Sequence, residues 1–408
     1  MTLLVTATIT YLLTPLVRRG AVQFGAIHAA RDRDVHVVPI PLLGGIAMYG
    51  GLAAGLWVAD QMTPLRTVFE GTGMAGGLLL AGGLIVIVGI VDDRWGMNPI
   101  SKLAGQVAAG AILVWRGAEL SWLPEPGGGT LILTSNQSIA LTILVVVATI
   151  NAVNFIDGLD GLAAGVICIA AVSFFIYYYA LTKVVHLSAE AGPALAATVL
   201  AGACIGFLPH NFYPARIFMG DTGSMLLGLL LAYVPISSIN SLDPSTLLNY
   251  GEGTLNRFPQ ILPLLPPAAI MVIPYADLVL AVIRRTRAGQ PLSTPDRRHL
   301  HHRLLDIGHS QRTSVLIMYL WAALFSGTVV WLSIANSQVL VFVVATLAAV
   351  LVLLLMSMPR LRWRRLARPA AQADGDVAPA GTPTGAGTAT PAGTATPAGA
   401  VPIASRPR

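Results

Sequence analysis

The sequence predicts an all-α bundle that crosses a membrane about eleven times, on three observations. Of its 408 residues 55% are hydrophobic and only 11% are charged, with a mean hydropathy of +0.71, whereas a soluble domain carries about 25% charged residues. The apolar runs are roughly 17–23 residues long, the length at which a helix covers about 30 Å of hydrocarbon. The short alternating segments of a membrane β-barrel are not found, so each span has to satisfy its own backbone as a helix.

The expected spans fall at about 1–17, 42–59, 74–91, 100–116, 138–155, 161–181, 192–208, 222–239, 262–283, 315–333 and 338–356. With the N-terminus outside, only Arg66, Arg116, Lys183 and Arg257 face outward, and 21 of the 25 Lys and Arg fall on the cytoplasmic side. The positive-inside rule therefore selects this orientation, with a cytoplasmic C-terminus. Arg18 and Arg19 follow the first apolar run instead of preceding it, so that run is read as an anchor and not as a cleavable signal.

Residues 1–356 form the expected transmembrane catalytic domain. Residues 357–408 begin with the arginines Arg360 to Arg368 and continue as an Ala/Pro/Gly/Thr-rich stretch without apolar periodicity. Such a tail is expected to be disordered, its basic start held at the cytoplasmic membrane surface. Glycines at Gly44, Gly45, Gly50, Gly51 and Gly55, and again between Gly71 and Gly83, suit close helix packing. Cys168 and Cys204 lie inside spans and read as small packing residues.

The acids sort by face. All five glutamates (Glu70, Glu119, Glu125, Glu190 and Glu252) fall outside, while most aspartates gather in cytoplasmic loops or at cytoplasmic helix ends. Short carboxylates collected on one face suit a site that holds a cation and phosphates in fixed geometry. Asp92 and Asp93 end one span, and Lys102 and Gln106 follow one turn apart on the next. The segment from Asn151 to Gly161 sets Asn151, Asn154, Asp157 and Asp160 at three-residue steps, which keep side chains near one helical face.

A third segment runs from His210 through Asn211, Arg216 and Phe218 to Gly220, Asp221, Thr222, Gly223 and Ser224. Asp221 there is placed to cap a helix as well as to act. The letters Asp-Thr-Gly-Ser also match an aspartic-protease signature, but such an enzyme needs a second copy in a β-rich fold. The loop between Arg284 and Arg312 carries Arg298, His299, His301, His302 and Arg303. A zinc site would call for a Cys or better-spaced ligands, whereas interleaved Arg and His suit anionic oxygens.

These four separated motifs, in this order and on one face, resemble the polyprenyl-phosphate N-acetylhexosamine-1-phosphate transferases over roughly residues 1–356. The resemblance implies ten or eleven spans, a bacterial inner-membrane location and a cytoplasmic active site. It also implies a reaction in which a prenyl phosphate attacks the β-phosphorus of a UDP-sugar and UMP leaves. Asp221 looks like the principal magnesium ligand with Asp93 nearby, manganese being the alternative ion. Asp92 is similar to the residue that orients or deprotonates the lipid phosphate, and Asn154 and Asp157 resemble residues close to the phosphates. Lys102 belongs to the same catalytic set. Asp160, Asn211 and Phe218 look like the uridine pocket. His299, His301 and His302, with Arg298 and Arg303, resemble the loop that meets the diphosphate and sugar.

Within the family, Asp92-Asp93-Arg94-Trp95-Gly96 and the His-Leu-His-His form are similar to the branch that transfers N-acetylglucosamine 1-phosphate to undecaprenyl or decaprenyl phosphate. That is the first lipid-linked step of a cell-envelope polysaccharide. The branch that uses UDP-N-acetylmuramoyl-pentapeptide usually has three consecutive histidines and a Lys after the Asp pair, from which Leu300 and Arg94 depart. The expected partners are the UDP-sugar, the polyprenyl phosphate and membrane lipids, with a homodimer allowed and no nucleic acid. A transporter is the rival from another class, but its ions would sit at broken helices near the midplane, not at one surface.

Overall fold

Four threonines spaced four apart, Thr2, Thr6, Thr10 and Thr14, are buried along one face of the first helix of the computed structural model, α1 (Thr2–Phe24). A step of four keeps them on one ridge, and the ridge enters a groove built from glycine. A Cβ on Gly51 or Gly55 of α2 (Gly44–Gln61) would come within 2.0 Å of the Thr10 or Thr6 hydroxyl. One on Gly206 would lie 2.2 Å from the Ala7 carbonyl oxygen. Small residues let membrane helices touch backbone to backbone, so the expected glycine packing is present, with threonine as its counterpart.

The structure describes residues 1–28, 39–69, 73–125, 129–184, 191–241, 304–305, 308–334 and 343–350, with isolated residues at 275, 279, 282–283 and 286–287. All of these belong to one unit, Met1–Arg362. The expected tail, the span at 262–283 for the most part, and the Arg298 to Arg303 motif lie outside the described residues.

After α2 come a short helix α3 (Arg66–Phe69), then α4 (Met74–Trp95), α5 (Pro99–Trp115), α6 (Ser135–Ile156), α7 (Leu162–Val184), α8 (Ala191–Asn211), α9 (Gly220–Ser241) and α10 (Gln311–Ile334). Among the described residues six helices (α4, α6, α7, α8, α9 and α10) are long and apolar enough to cross a membrane; α5 is apolar but shorter. The protein is thus a multi-pass helical membrane protein. The helices α1 and α2 occupy the first two expected spans without being among the six; α1 carries four buried threonines and two arginines, and α2 ends in Asp60 and Gln61.

Two small antiparallel ladders interrupt the helices. One pairs β1 (Ile27–His28) with β2 (Ile40–Pro41), and the other pairs β3 (Trp122–Glu125) with β4 (Gly129–Ile132), Trp122 opposite Ile132. The buried Trp122 ring donates its Nε1–H to the Ile239 carbonyl at 3.0 Å, tying the second hairpin to the end of α9. The start of α6 follows a capping box that is visible in sequence: Thr134 with Gln137 three residues on.

Buried along nearly all its length, α9 is the hub of the bundle. It packs against α2, α4, α6 and α8. Its first turn fits so closely that a Cβ on Gly89 of α4 would meet the Thr222 Cα at 2.3 Å, and one on Gly45 of α2 would meet the Thr222 carbonyl carbon at 2.3 Å. That contact fixes where Asp221 stands.

Candidate active site

Asp92 and Asp93 fall in the last turn of α4, and adjacent helical residues point about 100° apart. Asp93 points at the start of α9. Its oxygens accept from the Asp221 amide (2.8 Å), the Thr222 amide (3.1 Å) and the Thr222 hydroxyl. It thereby caps a helix from outside that helix, satisfying amides that have no partner in the first turn. Gly220 makes the approach possible: its φ is +66°, and a Cβ there would lie 2.3 Å from an Asp93 oxygen.

Asp92 points instead toward α5. It accepts from the Met97 amide at 2.7 Å and pairs with the Lys102 ammonium at 2.9 Å. Lys102 stands in the second turn of α5, whose start is fixed by Pro99 and by Asn98 accepting from the Ile100 amide. The same ammonium pairs with Asp221. One cation thus bridges a carboxylate of α4 and a carboxylate of α9.

The stripe on α6 closes the third side. Asn154 donates to Asp221 and to the Ser224 hydroxyl (2.9 Å), and Asn151 donates to Gln106 at 2.7 Å. The three-residue step and the Lys102–Gln106 step therefore face each other. Asp157 is the C-cap of α6 and half-buried, and among the described residues it has no hydrogen-bond or ion-pair partner. Burial first, then the charges of Asp221, Asp93 and Asp160, push its carboxyl up to about 8.

The three expected uridine residues are held differently from one another. Asp160 is buried and accepts from the Ala215 amide at 2.9 Å. Asn211 is buried, accepting from the Gly161 amide and donating to the Ile217 carbonyl, both at 3.1 Å. Both side chains thus staple the segment between α8 and α9 to the turn after α6. Phe218 is half-buried, and its backbone is stitched to Pro41 and Gly44, with its amide donating at 2.9 Å and its carbonyl accepting at 3.1 Å. Of the expected site residues, Asp92, Asp93, Lys102, Asn154 and Asp221 are brought into one connected array. Thr222 and Ser224 join it without having been singled out; the signal was their place in the first turn of a helix opened by Gly-Asp.

Among the described residues no three His, Cys, Asp or Glu side chains are grouped so as to hold a metal unaided. Magnesium does not need that. It is commonly held by one or two carboxylates, with water and substrate phosphate completing the shell. Two carboxylates that already share an ammonium between them fit such an ion.

The chain was compared with known proteins. A family model described as glycosyl transferase family 4 matches residues 75–239. The decaprenyl-phosphate N-acetylglucosaminephosphotransferase of Mycolicibacterium smegmatis is 43% identical over 332 residues, 79% of each chain. That of Mycobacterium tuberculosis is 44% identical over 329 residues, again 79% of each. A probable undecaprenyl-phosphate N-acetylglucosaminyl 1-phosphate transferase of Bacillus subtilis is 31% identical over 333 residues, 82% of this chain and 84% of that one.

Proposed function

Because the chain belongs to the polyprenyl-phosphate N-acetylhexosamine-1-phosphate transferases of glycosyl transferase family 4, we propose that it transfers N-acetylglucosamine 1-phosphate from UDP-N-acetylglucosamine to a polyprenyl phosphate. A lipid phosphate oxygen forms a bond to the β-phosphorus, the bond from that phosphorus to the bridging oxygen breaks, and UMP leaves with that oxygen. The product is a polyprenyl diphosphate sugar, the first lipid-linked intermediate of an envelope polysaccharide.

The observation that carries this reading is the Asp92–Lys102–Asp221–Asn154 array at one end of the central helix. Phosphoryl transfer asks mainly for positioning and neutralised charge. Asp221, with Asp92 across from it in place of the expected Asp93, whose oxygens already accept from the first turn of α9, would hold magnesium, which when bound neutralises charge on the diphosphate. Asp93 serves that pair by fixing the first turn of α9. Lys102 is the chain's own cation beside the phosphates, and Asn154 holds the Asp221 carboxylate in one orientation. Asp92 orients the lipid phosphate, which is already mostly ionised near neutral pH. Phe218 offers a ring face to the uracil. His299, His301 and His302, with Arg298 and Arg303, are assigned to the diphosphate and sugar on the resemblance of their motif alone.

The site lies at the cytoplasmic face of a bacterial inner membrane in this reading. A soluble donor there meets an acceptor whose tail stays in lipid. A transporter is disfavoured because the carboxylates stand at helix ends and not at mid-bilayer. The test is incubation of the purified full-length chain with magnesium, prenyl phosphate and either UDP-N-acetylglucosamine or UDP-N-acetylmuramoyl-pentapeptide. Release of UMP and a lipid-linked sugar from the first donor is expected. Faster turnover of the second would overturn the donor assignment, and turnover of neither would overturn the activity.

A further inference from the structure

The helices that carry the carboxylates enclose a second site at their other ends. Asp93 and Asp221 stand at the last turn of α4 and the first turn of α9, whereas Met74 opens α4, Arg116 follows α5, and Ser237 and Asn240 close α9. At 1.5 Å per residue a helix of 22 residues separates its ends by about 30 Å, the thickness of the hydrocarbon layer. A cavity of about 760 Å³ lies at this far end, lined among others by Met74, Trp115, Arg116, Tyr233, Ser237 and Asn240. That volume is within the range of small-molecule sites, roughly 300–1,000 Å³.

Arg116 is seated there with care. Its guanidinium rests on the first turns of α4, where a Cβ on Gly76 would meet Nη2 at 2.3 Å, and its Cζ lies 5.6 Å from the Trp115 ring centroid. Its Nε is buried and has no hydrogen-bond partner, and among the described residues no carboxylate pairs with the guanidinium. Buried donors without acceptors are rare and call for water or a ligand.

We propose that this cavity binds a phosphate group, supplied by the headgroup of an anionic phospholipid in the leaflet at that end of the bundle. A planar guanidinium fork matches phosphate oxygens with two parallel hydrogen bonds. Trp115, well exposed beside it, is the residue type that settles at headgroup depth, so the cavity opens where lipid phosphates lie. Ser237 and Asn240 supply polar atoms on the opposite wall. The site is separate from the transfer chemistry, and the assignment does not depend on it.

The test compares the full-length chain with Arg116→Gln and Ser237→Asp, the second adding a carboxylate to the wall while leaving Arg116 in place. Each is solubilised with phosphatidylglycerol, with phosphatidylcholine, or with phosphatidylcholine plus inorganic phosphate, and the apparent Tm and lipid adducts in native mass spectrometry are recorded. Phosphatidylglycerol should raise the wild-type Tm by several degrees over phosphatidylcholine and leave a retained adduct, and both variants should lose the increment and the adduct. Sugar-phosphate transfer at the far end reports that each variant is folded. An equal increment from inorganic phosphate, lost in Arg116→Gln, keeps the phosphate site and makes free phosphate its source. An increment that survives in both variants, or that is absent from the wild type, overturns the proposal.

Discussion

At the start of α9 the carboxylates of Asp92, Asp93 and Asp221 are already held by the chain itself: amides and a hydroxyl on Asp93, one ammonium shared by Asp92 and Asp221. At the end of the same helix Arg116 has a buried nitrogen with no acceptor among the described residues. Both ends gather partly buried charge at the ends of the helices, where a charge left without a partner is costly. The difference lies in who supplies the compensation. At the carboxylate end the protein provides a stand-in cation, so a ligand has to compete with Lys102. At the far end none of the described residues provides it, so a ligand completes the site.

The largest effect expected from this contrast is at Asp221. Asp221→Asn removes a charged oxygen from the shared pair and leaves Asn154 and Lys102 facing an amide. Transfer should fall by orders of magnitude while the fold persists, since an amide is a poor substitute for a carboxylate toward magnesium. A folded variant that keeps more than about a tenth of the rate at saturating magnesium would show that the pair is structural, not metal-holding.

Next in size is Phe218. Its backbone is fixed at both amide and carbonyl, so Phe218→Ala should remove the ring and little else. Loss of a stacking face costs about 1–3 kcal/mol per base, which should appear as a higher KM for the UDP-sugar with the KM for prenyl phosphate unchanged. An unaltered donor KM would take Phe218 out of the pocket.

Asp93 sharpens the comparison inside one helix turn. Asparagine keeps one of the two acceptor oxygens that Asp93 uses and turns its NH2 toward a donor, so it is a weaker brace, whereas alanine loses the cap altogether at about 0.5–2 kcal/mol. Asp93→Asn should therefore keep the magnesium midpoint of the wild type and lose only part of its rate, with Asp93→Ala less stable. Should Asp93→Asn shift that midpoint as far as Asp221→Asn does, Asp93 is a ligand and not a brace.

How much of this was legible beforehand varies with the kind of information. Helical spans, glycine packing and the grouping of aspartates follow from composition and period, which sequence states directly. The family is legible too, because its motifs are separated, ordered and rich in uncommon residues. The division of labour between Asp92 and Asp93 was not, since it depends on which neighbour each faces 100° apart around α4. The threonine ridge of α1 has a plain four-residue step, yet threonine passes as an ordinary member of an apolar run until its glycine partners on α2 and α8 are brought alongside. The stapling by Asp160 and Asn211 depends on backbone groups of Ala215 and Ile217, which no side-chain pattern encodes. Arg116 was counted only as one of four outward charges; its missing partner is a property of the folded cavity.

The effect expected to touch the transfer rate least is a pH dependence of stability that belongs to the carboxylate end. Asp157 has an ordinary value of 3.8, and in the fold its carboxyl is pushed up to about 8 by burial and by the charges of Asp221, Asp93 and Asp160. Between those two values the unfolded chain has released this proton and the folded chain has kept it. Stability then falls as pH rises, because the native state binds more protons than the unfolded state. Without divalent cation, the apparent Tm should decline from about pH 5 to pH 8 by this contribution and flatten above it. Magnesium at the neighbouring pair offsets the negative charge that keeps the proton on, so its stabilising increment should grow over the same window. Asp157→Asn should flatten the upper part of that slope, toward pH 8, and leave the magnesium increment there nearly independent of pH. A cation-free slope unchanged in Asp157→Asn would place the titrating group elsewhere, and an increment of equal size at pH 6 and pH 8 in the wild type would mean that Asp157 is not coupled to the ion.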